Sequence, residues 1–217
     1  QAVDAAIRSI IKSIANGLMA VAVVFNPMQL TNTDFNFPLF MNQAQAVTMK
    51  APAVAEMSSV ANKAYEVSAP AFVKAKQMFF IADKPNGKIY LFDETGKHLA
   101  TSDALYGKQA GDKITKEQLD KPADLLAEVD KITPAGTFNV KVAENPEYAG
   151  GYTLRLYSKE NYLGGIAIHS VYTGNVKENR LERLLSQNLT DKKISYGCIN
   201  TSPEFFINKI LPKIKEV

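Results

Sequence analysis

The strongest candidate for a reactive side chain in this sequence is Cys198, the only cysteine of the chain. It lies in the segment ISYGCIN at 194–200. A thiol is a good nucleophile only as thiolate, and with an ordinary pKa of about 8.5 it needs a nearby base or positive field. Gly197 leaves room beside the thiol for an acyl group, and a backbone amide next to Cys198 can bind an oxyanion. The segment therefore indicates acyl transfer on Cys198, with an inert buried cysteine as the alternative.

The candidate base for this thiol is His169, one of two histidines in the chain. It ends the apolar run 165–169, which is typical of a buried strand. A histidine at a strand end can face a cleft while a backbone carbonyl holds its ring and fixes its tautomer. A satisfied structural histidine is the alternative. His98 lies in a polar turn, where we expect a surface role.

Composition excludes several other classes of function. One cysteine and two histidines cannot build a Cys/His zinc cage or an internal disulfide. The 25 basic and 22 acidic residues leave a formal charge of +3, too small and too evenly spread to indicate a nucleic-acid groove. With 217 residues, 46% of them hydrophobic, the chain can bury one substantial core. We expect one main domain with an extension.

The elements that must position the two residues are mostly strands. Short β-type runs begin after Pro70, and the turn at 84–87, which contains Asn-Gly, predicts a hairpin. The predicted strands are residues 77–81, 88–92, a strand through His98 and Leu99, 137–142, 152–157 and 165–169. The predicted helices are residues 53–67, 116–130 and 178–185, and a C-terminal helix that begins near Pro203 with Ser202 as its cap.

The N-terminal region differs from the predicted β domain in composition. Residues 7–25 are rich in apolar side chains, and residues 13–25 carry almost no charge. This composition is typical of the apolar region of a secretory signal. The Ala-Gln-Ala at 44–46 has the form of a signal cleavage site. An amphipathic or buried helix is the alternative. Residues 26–40 are predicted to form an irregular linker. The segment 7–25 is also the candidate for association with a membrane.

Three elements in one order give the sequence a family resemblance. The pair formed by Ile168-His169-Ser170 and the motif at 195–200 resembles the signature of the L,D-transpeptidase catalytic domain, also called the YkuD domain. Upstream, residues 132–138 are similar to its Thr-Pro-x-Gly-x-Phe element, and the strands around 79–92 resemble its opening hairpin. The resemblance covers about 77–208, and none is apparent for 1–70.

The resemblance implies an α+β, mainly β fold: an antiparallel, β-sandwich-like catalytic domain at 71–217 behind a helical or leader-like extension at 1–70. It implies Cys198 as nucleophile and His169 as base, with a carbonyl near Ser170 orienting the ring. Further candidates for the oxyanion or the substrate are Gly197, Ser195 and, by position, Tyr152. Such enzymes attack the peptidoglycan stem peptide ahead of a terminal D-alanine and pass the acyl group to an amine, without metal or organic cofactor.

Two features depart from the family pattern. Tyr196 stands where the usual motif has a second histidine, and the His169 to Cys198 separation is longer than in compact members. We therefore expect residues 171–193 to form a cap whose Arg180 or Arg183 holds a substrate carboxylate. An ordinary solvated helix is the alternative.

Competing functions remain open at this point. The same thioester resolved by water would make the protein an L,D-carboxypeptidase or cross-link endopeptidase, and loss of turnover would leave a cell-wall binding module. The preferred function places the protein in the periplasm or cell envelope as an exported enzyme, with a membrane anchor as one option.

Overall fold

The computed structural model describes residues 19–23, 54, 57–157 and 162–215 of the chain. The predicted linker at 26–40, the cleavage-type motif at 44–46 and residues 7–18 lie outside these ranges. The alternative of a helix through 7–25 is wrong at residues 19–23, because Met19–Val23 forms a strand. Its sequence, Met-Ala-Val-Ala-Val, alternates alanine with β-branched valine, and that period of two suits a strand. The interpretation of 7–25 as part of a leader stays a prediction.

A single curled sheet dominates the fold, as the mainly β prediction requires. Its strands in the described ranges are β1 (Met19–Val23), β2 (Met78–Asp83), β3 (Lys88–Phe92), β4 (His98–Gly107), β5 (Gly136–Glu144), β6 (Tyr152–Tyr157), β7 (Tyr162–Ser170), β8 (Lys193–Ser195) and β9 (Ile199–Thr201). They follow the order β3-β2-β1-β5-β6-β7-β9-β4-β8, and an additional β3–β4 pairing closes the sheet on itself. The pairs β1–β2, β4–β8 and β7–β9 are parallel, and the others are antiparallel.

Short helices lie around the sheet. The α-helices are α1 (Ser59–Lys74), α2 (Lys116–Asp120), α3 (Arg180–Leu185), α4 (Pro203–Phe205) and α5 (Leu211–Lys215), with a π-helical stretch at Phe206–Ile210 and 3₁₀ turns at Lys84–Asn86, Ala123–Leu125, Glu128–Asp130 and Val176–Glu178. The C-terminal helix begins as predicted, since the hydroxyl of Ser202 accepts the amide of Phe205 at 3.1 Å.

The predicted helix at 116–130 is wrong in its extent. It breaks after α2 because Lys121, which precedes Pro122, adopts an extended conformation, as residues before proline prefer. Only two 3₁₀ turns follow. The predicted hairpin is present, but its turn is a 3₁₀ turn closed by Gly87 in the left-handed conformation at φ 60°.

The two larger apolar clusters of the described residues hold the sheet. The main core contains buried side chains from β2 to β7, from β9 and from the C-terminal helical segment, among them Phe80, Leu91, Leu154, Ile168, Ile199 and Phe206. A second core lies between α1 and the other side of β2 and β3, where Tyr65 packs on Phe79 and Phe92. The predicted domain division at residue 70 falls within α1, and it stays a prediction.

Candidate active site

Two neighbouring parallel strands bring the predicted nucleophile and base into one site. Strands β7 and β9 pair in a register that sets Ile168 opposite Ile199 and His169 opposite Asn200. Both isoleucines are fully buried in the main core, and successive side chains of a strand point to opposite faces, so His169 and Asn200 lie together on the other face. Cys198 directly precedes β9, and its Sγ lies 3.6 Å from the carbonyl oxygen of Gly165 on β7.

The imidazole of His169 is held on two sides. Its Nδ1 lies 2.7 Å from the carbonyl oxygen of Ser170, to which it donates, so Nε2 carries the lone pair. The ring of Tyr148 stacks on it with centroids 3.9 Å apart. The hydroxyl of Ser170 donates to the carbonyl of Ala149 at 3.2 Å and so anchors the loop that carries Tyr148.

Burial determines the charge of this histidine. His169 is only 2% exposed, and loss of hydration lowers its pKa to about 4. The nearby guanidinium of Arg180 lowers the pKa further, whereas the hydrogen bond to Ser170 opposes the shift. The ring is therefore a neutral base at neutral pH.

The thiol of Cys198 is neutral for the same reason. The residue keeps part of its surface open, but its surroundings are dense enough that desolvation raises the pKa of the thiol. The backbone amide of Ala167 and the charge of Arg180 favour the thiolate and moderate that rise. With the thiol pKa raised and the imidazole pKa lowered, a resting thiolate–imidazolium pair is disfavoured. Attack by this thiol would therefore require a base that removes its proton, and the neutral imidazole of His169 is the candidate.

The turn before Cys198 fits closely against two other segments. Gly197 has φ 124°, and a Cβ there would lie 2.6 Å from Nε2 of Gln118 and 2.8 Å from the carbonyl oxygen of Ile132. The buried amide of Gln118 donates to the carbonyls of Ile132 and Tyr196. Only glycine meets both the left-handed backbone and the close approach of Ile132.

Ser195 and Thr133 fix the same turn through hydrogen bonds. The hydroxyl of Ser195 donates to the carbonyl of Cys198 at 2.6 Å and accepts the amide of Gly197 at 3.2 Å. The hydroxyl of Thr133 donates to the carbonyl of Gly197 and accepts the amide of Gly107, each at 2.8 Å. Since Ser195 already takes the Gly197 amide, this donor is engaged inside the turn and does not face an incoming oxyanion in this state.

The segment between β7 and β9 reaches the site through Arg180. Its Nε donates to the Glu178 carboxylate at 2.6 Å, and its Nη1 donates to the side-chain oxygen of Asn200 at 2.7 Å. Arg183 donates to the carbonyl of Glu178 at 2.9 Å and faces an open groove with Glu182.

The three leucines of α3 differ in burial. Leu184 is buried, whereas Leu181 and Leu185 are 47% and 72% exposed. Residues three and four apart share a helix face, so the face of α3 that carries these leucines is covered mainly at Leu184.

The predicted tyrosines lie at different distances from the chemistry. Tyr152 is partly buried against the main core. The ring of Tyr196 packs beneath the ammonium groups of Lys131, 4.2 Å from its centroid, and Lys108, at 5.8 Å. The tyrosine that stacks on the base is Tyr148, which sequence reasoning did not single out.

Asn200 lies in the motif at 195–200 and Thr133 in the element at 132–138, but the sequence predicts no role for either side chain. Tyr148 and Gln118 carry no sequence signal, because the loop that holds Tyr148 and the helix α2 that holds Gln118 reach the site only in the folded chain.

In the described part of the chain, no group of three or more His, Cys, Asp or Glu side chains is placed to hold an ion. A separate cavity of about 250 Å³ is lined by Lys84, Gly107, Thr133 and Lys192 rather than by Cys198 or His169. The ammonium of Lys84 already donates to Asp112 and to the carbonyls at 111 and 133.

A scan against protein-family models assigns the chain. The model of the L,D-transpeptidase catalytic domain, YkuD, matches residues 77–214, more than half of the sequence. The protein belongs to the L,D-transpeptidase catalytic domain family. The family model spans β2 to α5 and therefore includes His169, Cys198 and every residue described around them.

Membership of this family indicates a function related to peptidoglycan, and proteins of the family generally belong to the cell envelope. No curated protein and no solved structure matches the chain significantly. None of the helices in the described ranges is long and apolar enough to cross a membrane.

Proposed function

We propose that the protein is a peptidoglycan L,D-transpeptidase that forms a thioester on Cys198 with His169 as general base. The observation that carries the proposal is the neutral pair on neighbouring strands: a partly exposed thiol beside β7 and a buried imidazole whose Nδ1 is fixed by Ser170. Membership of the family supplies the substrate class.

In the first half-reaction, the Cys198 sulfur attacks the stem-peptide carbonyl ahead of the terminal D-alanine. Its proton passes to Nε2 of His169, because Nδ1 is occupied by Ser170. The amide of Cys198 is the proposed oxyanion donor, since the amide of Gly197 is bound to Ser195. The C–N bond then breaks, and the amine of D-alanine leaves with the proton from His169.

In the second half-reaction, an amine of another stem attacks the thioester. His169 takes the amine proton and returns it to the departing sulfur, which restores the neutral pair. The dry surroundings of His169 favour retention of the neutral base between the two steps. The proposed location of this reaction is the periplasm or cell envelope.

The role proposed for Arg183 is to bind a free carboxylate of the stem. The open groove that it lines, about 360 Å³ in volume, lies on the same segment as Arg180, which contacts the site through Asn200. Arg183→Gln should raise the KM for the stem peptide more than it slows acylation by a small β-lactam. Equal effects on both substrates would contradict this role.

The reaction itself is tested by incubating the purified protein with a tetrapeptide stem, alone and with an acceptor stem, followed by mass spectrometry. The expected products are a thioester on Cys198, free D-alanine and, with acceptor, a cross-linked dimer. Cys198→Ala should yield none of these, and a carbapenem should label only the parental protein. Cross-linking by Cys198→Ala would overturn the proposal, and tripeptide as the sole product would assign hydrolysis.

A further inference from the structure

A series of side-chain contacts connects helix α3, which precedes β8, to the imidazole of His169. The guanidinium of Arg180 lies between Glu178 and Asn200, at 2.6 Å from a carboxylate oxygen of the first and 2.7 Å from the amide oxygen of the second. The side chain of Arg180 is 9% exposed and Asn200 is fully buried. Beyond Asn200, the series ends at Nε2 of His169, 3.4 Å from the Asn200 amide nitrogen.

The chemistry of these groups fixes the direction of the series. A guanidinium has only donors, so the atom of Asn200 that faces Arg180 must be the oxygen. The NH₂ of Asn200 is thereby turned toward His169. Because Nδ1 of His169 donates to Ser170, Nε2 has a lone pair and accepts from this NH₂.

We infer that Asn200, oriented by Arg180, is a positioning residue that holds Nε2 of His169 in the unprotonated state needed for a general base. This inference rests on the proposed role of His169. If Nε2 took a proton in the resting enzyme, its N–H would face the NH₂ of Asn200, and two donors would meet without an acceptor. The guanidinium behind Asn200 adds a positive charge that also disfavours imidazolium.

The two bonds of Asn200 differ in strength, and the difference suits this role. The contact with Arg180 is short and charge-assisted, whereas 3.4 Å is long for a hydrogen bond between two nitrogens. Asn200 is therefore firmly oriented but only weakly bound to the lone pair. The proton of Cys198 can displace the weak contact during attack, while a proton from solvent meets a buried site.

The other groups around His169 do not supply the missing acceptor. Tyr148 stacks on the ring, and its own pKa of about 12 keeps its phenol neutral. Cys198 is a neutral thiol at rest, since burial raises its pKa. The carboxylate of Glu178 contacts the far side of Arg180. Among these groups, Asn200 is thus the side chain whose orientation places a hydrogen-bond donor opposite Nε2 of His169.

The test is a pH titration of the histidine rings by NMR in the absence of substrate. His98 is the only other histidine and serves as an internal reference. Asn200→Asp places an acceptor opposite Nε2 and should raise the pKa of His169 toward or above the ordinary value of about 6.5. Arg180→Gln frees the Asn200 amide to turn its oxygen toward Nε2 and should shift the titration in the same direction.

Arg183→Gln is the matched control for the titration, because Arg183 lies on the same helix and bonds to Glu178 rather than to Asn200. In Asn200→Asp, carbapenem acylation should fall about tenfold for each pH unit below the new pKa. The inference is overturned if His169 titrates identically in all three variants. Because the titration uses no substrate, its result is independent of whether the protein cross-links peptidoglycan.

Discussion

The hydroxyl of Thr133 bonds to the carbonyl of Gly197, one residue before the nucleophile, at 2.8 Å. The same hydroxyl accepts the amide of Gly107 at the end of β4. A single buried side chain, 2% exposed, therefore joins three distant segments at the back of the active-site turn. The position of Cys198 therefore depends on Thr133, which holds the residue before it.

Thr133→Val should both destabilise the protein and slow acylation. The change leaves the Gly107 amide and the Gly197 carbonyl without their partner, at a cost of about 1 to 3 kcal/mol for each buried group. Urea unfolding and the rate of carbapenem labelling measure the two effects. Thr133→Ser keeps the hydroxyl and is the control, and equal stability of the two variants would contradict the bridging role.

Gly197→Ala should nearly abolish acylation. The added Cβ would lie 2.8 Å from the Ile132 carbonyl oxygen in a backbone at φ 124°, so the turn must move. Gly151→Ala is the matched control, because Gly151 also has a positive φ, 76°, but open space around it. If both variants label Cys198 equally fast, the close approach is not what requires glycine at 197.

Replacement of Tyr148 should change the pH dependence of the reaction. The ring of Tyr148 covers the imidazole of His169, and Tyr148→Ala would hydrate that ring and raise its pKa. The acid limb of the acylation profile should then move to higher pH. Tyr148→Phe keeps the stacked ring and should leave the limb in place; a shift as large as that of the alanine variant would assign the effect to the hydroxyl.

Protein stability should fall as the solution is acidified through the range set by His169. Its pKa is about 6.5 in an unfolded chain and about 4 in the folded protein, so the unfolded state binds more protons between these values. The free energy of unfolding should therefore decrease as the pH falls from about 6.5 to about 4. Chemical denaturation at several pH values measures it, and His169→Gln should show a shallower decrease over the same range.

Tyr196→Phe should keep most activity. The ring lies 4.2 Å beneath the Lys131 ammonium, and phenylalanine retains this cation–π contact. Tyr196→Leu removes the aromatic face and should lower stability more than the phenylalanine change. A loss of most of the turnover in Tyr196→Phe would show that the hydroxyl takes part in catalysis.

The sequence predicted those parts of the site that are encoded locally. Each of these parts depends on neighbours a few residues apart: the segment before Cys198, the strand that ends near His169, and the N-cap of the C-terminal helix at Ser202. Tyr148 and Gln118 escaped prediction because their places against His169 and Gly197 arise from sheet closure and loop packing. The same reason explains β1, a short apolar run whose strand conformation is selected by β2 and β5 on either side.

The parallel pairing of β7 with β9 has a consequence for how this enzyme can diversify. A parallel pair cannot be joined by a tight turn, so a long connection is obligatory. The spacing between His169 and Cys198 is nevertheless set by the ladder, which aligns His169 with Asn200 whatever the length of that connection. We expect residues 171–193 to accept insertions, deletions and new side chains while the register between His169 and Asn200 stays constant. Evolution, or an engineer, can exchange this crossover to alter substrate preference without rebuilding the reaction centre, provided that a group such as Arg180 still reaches Asn200.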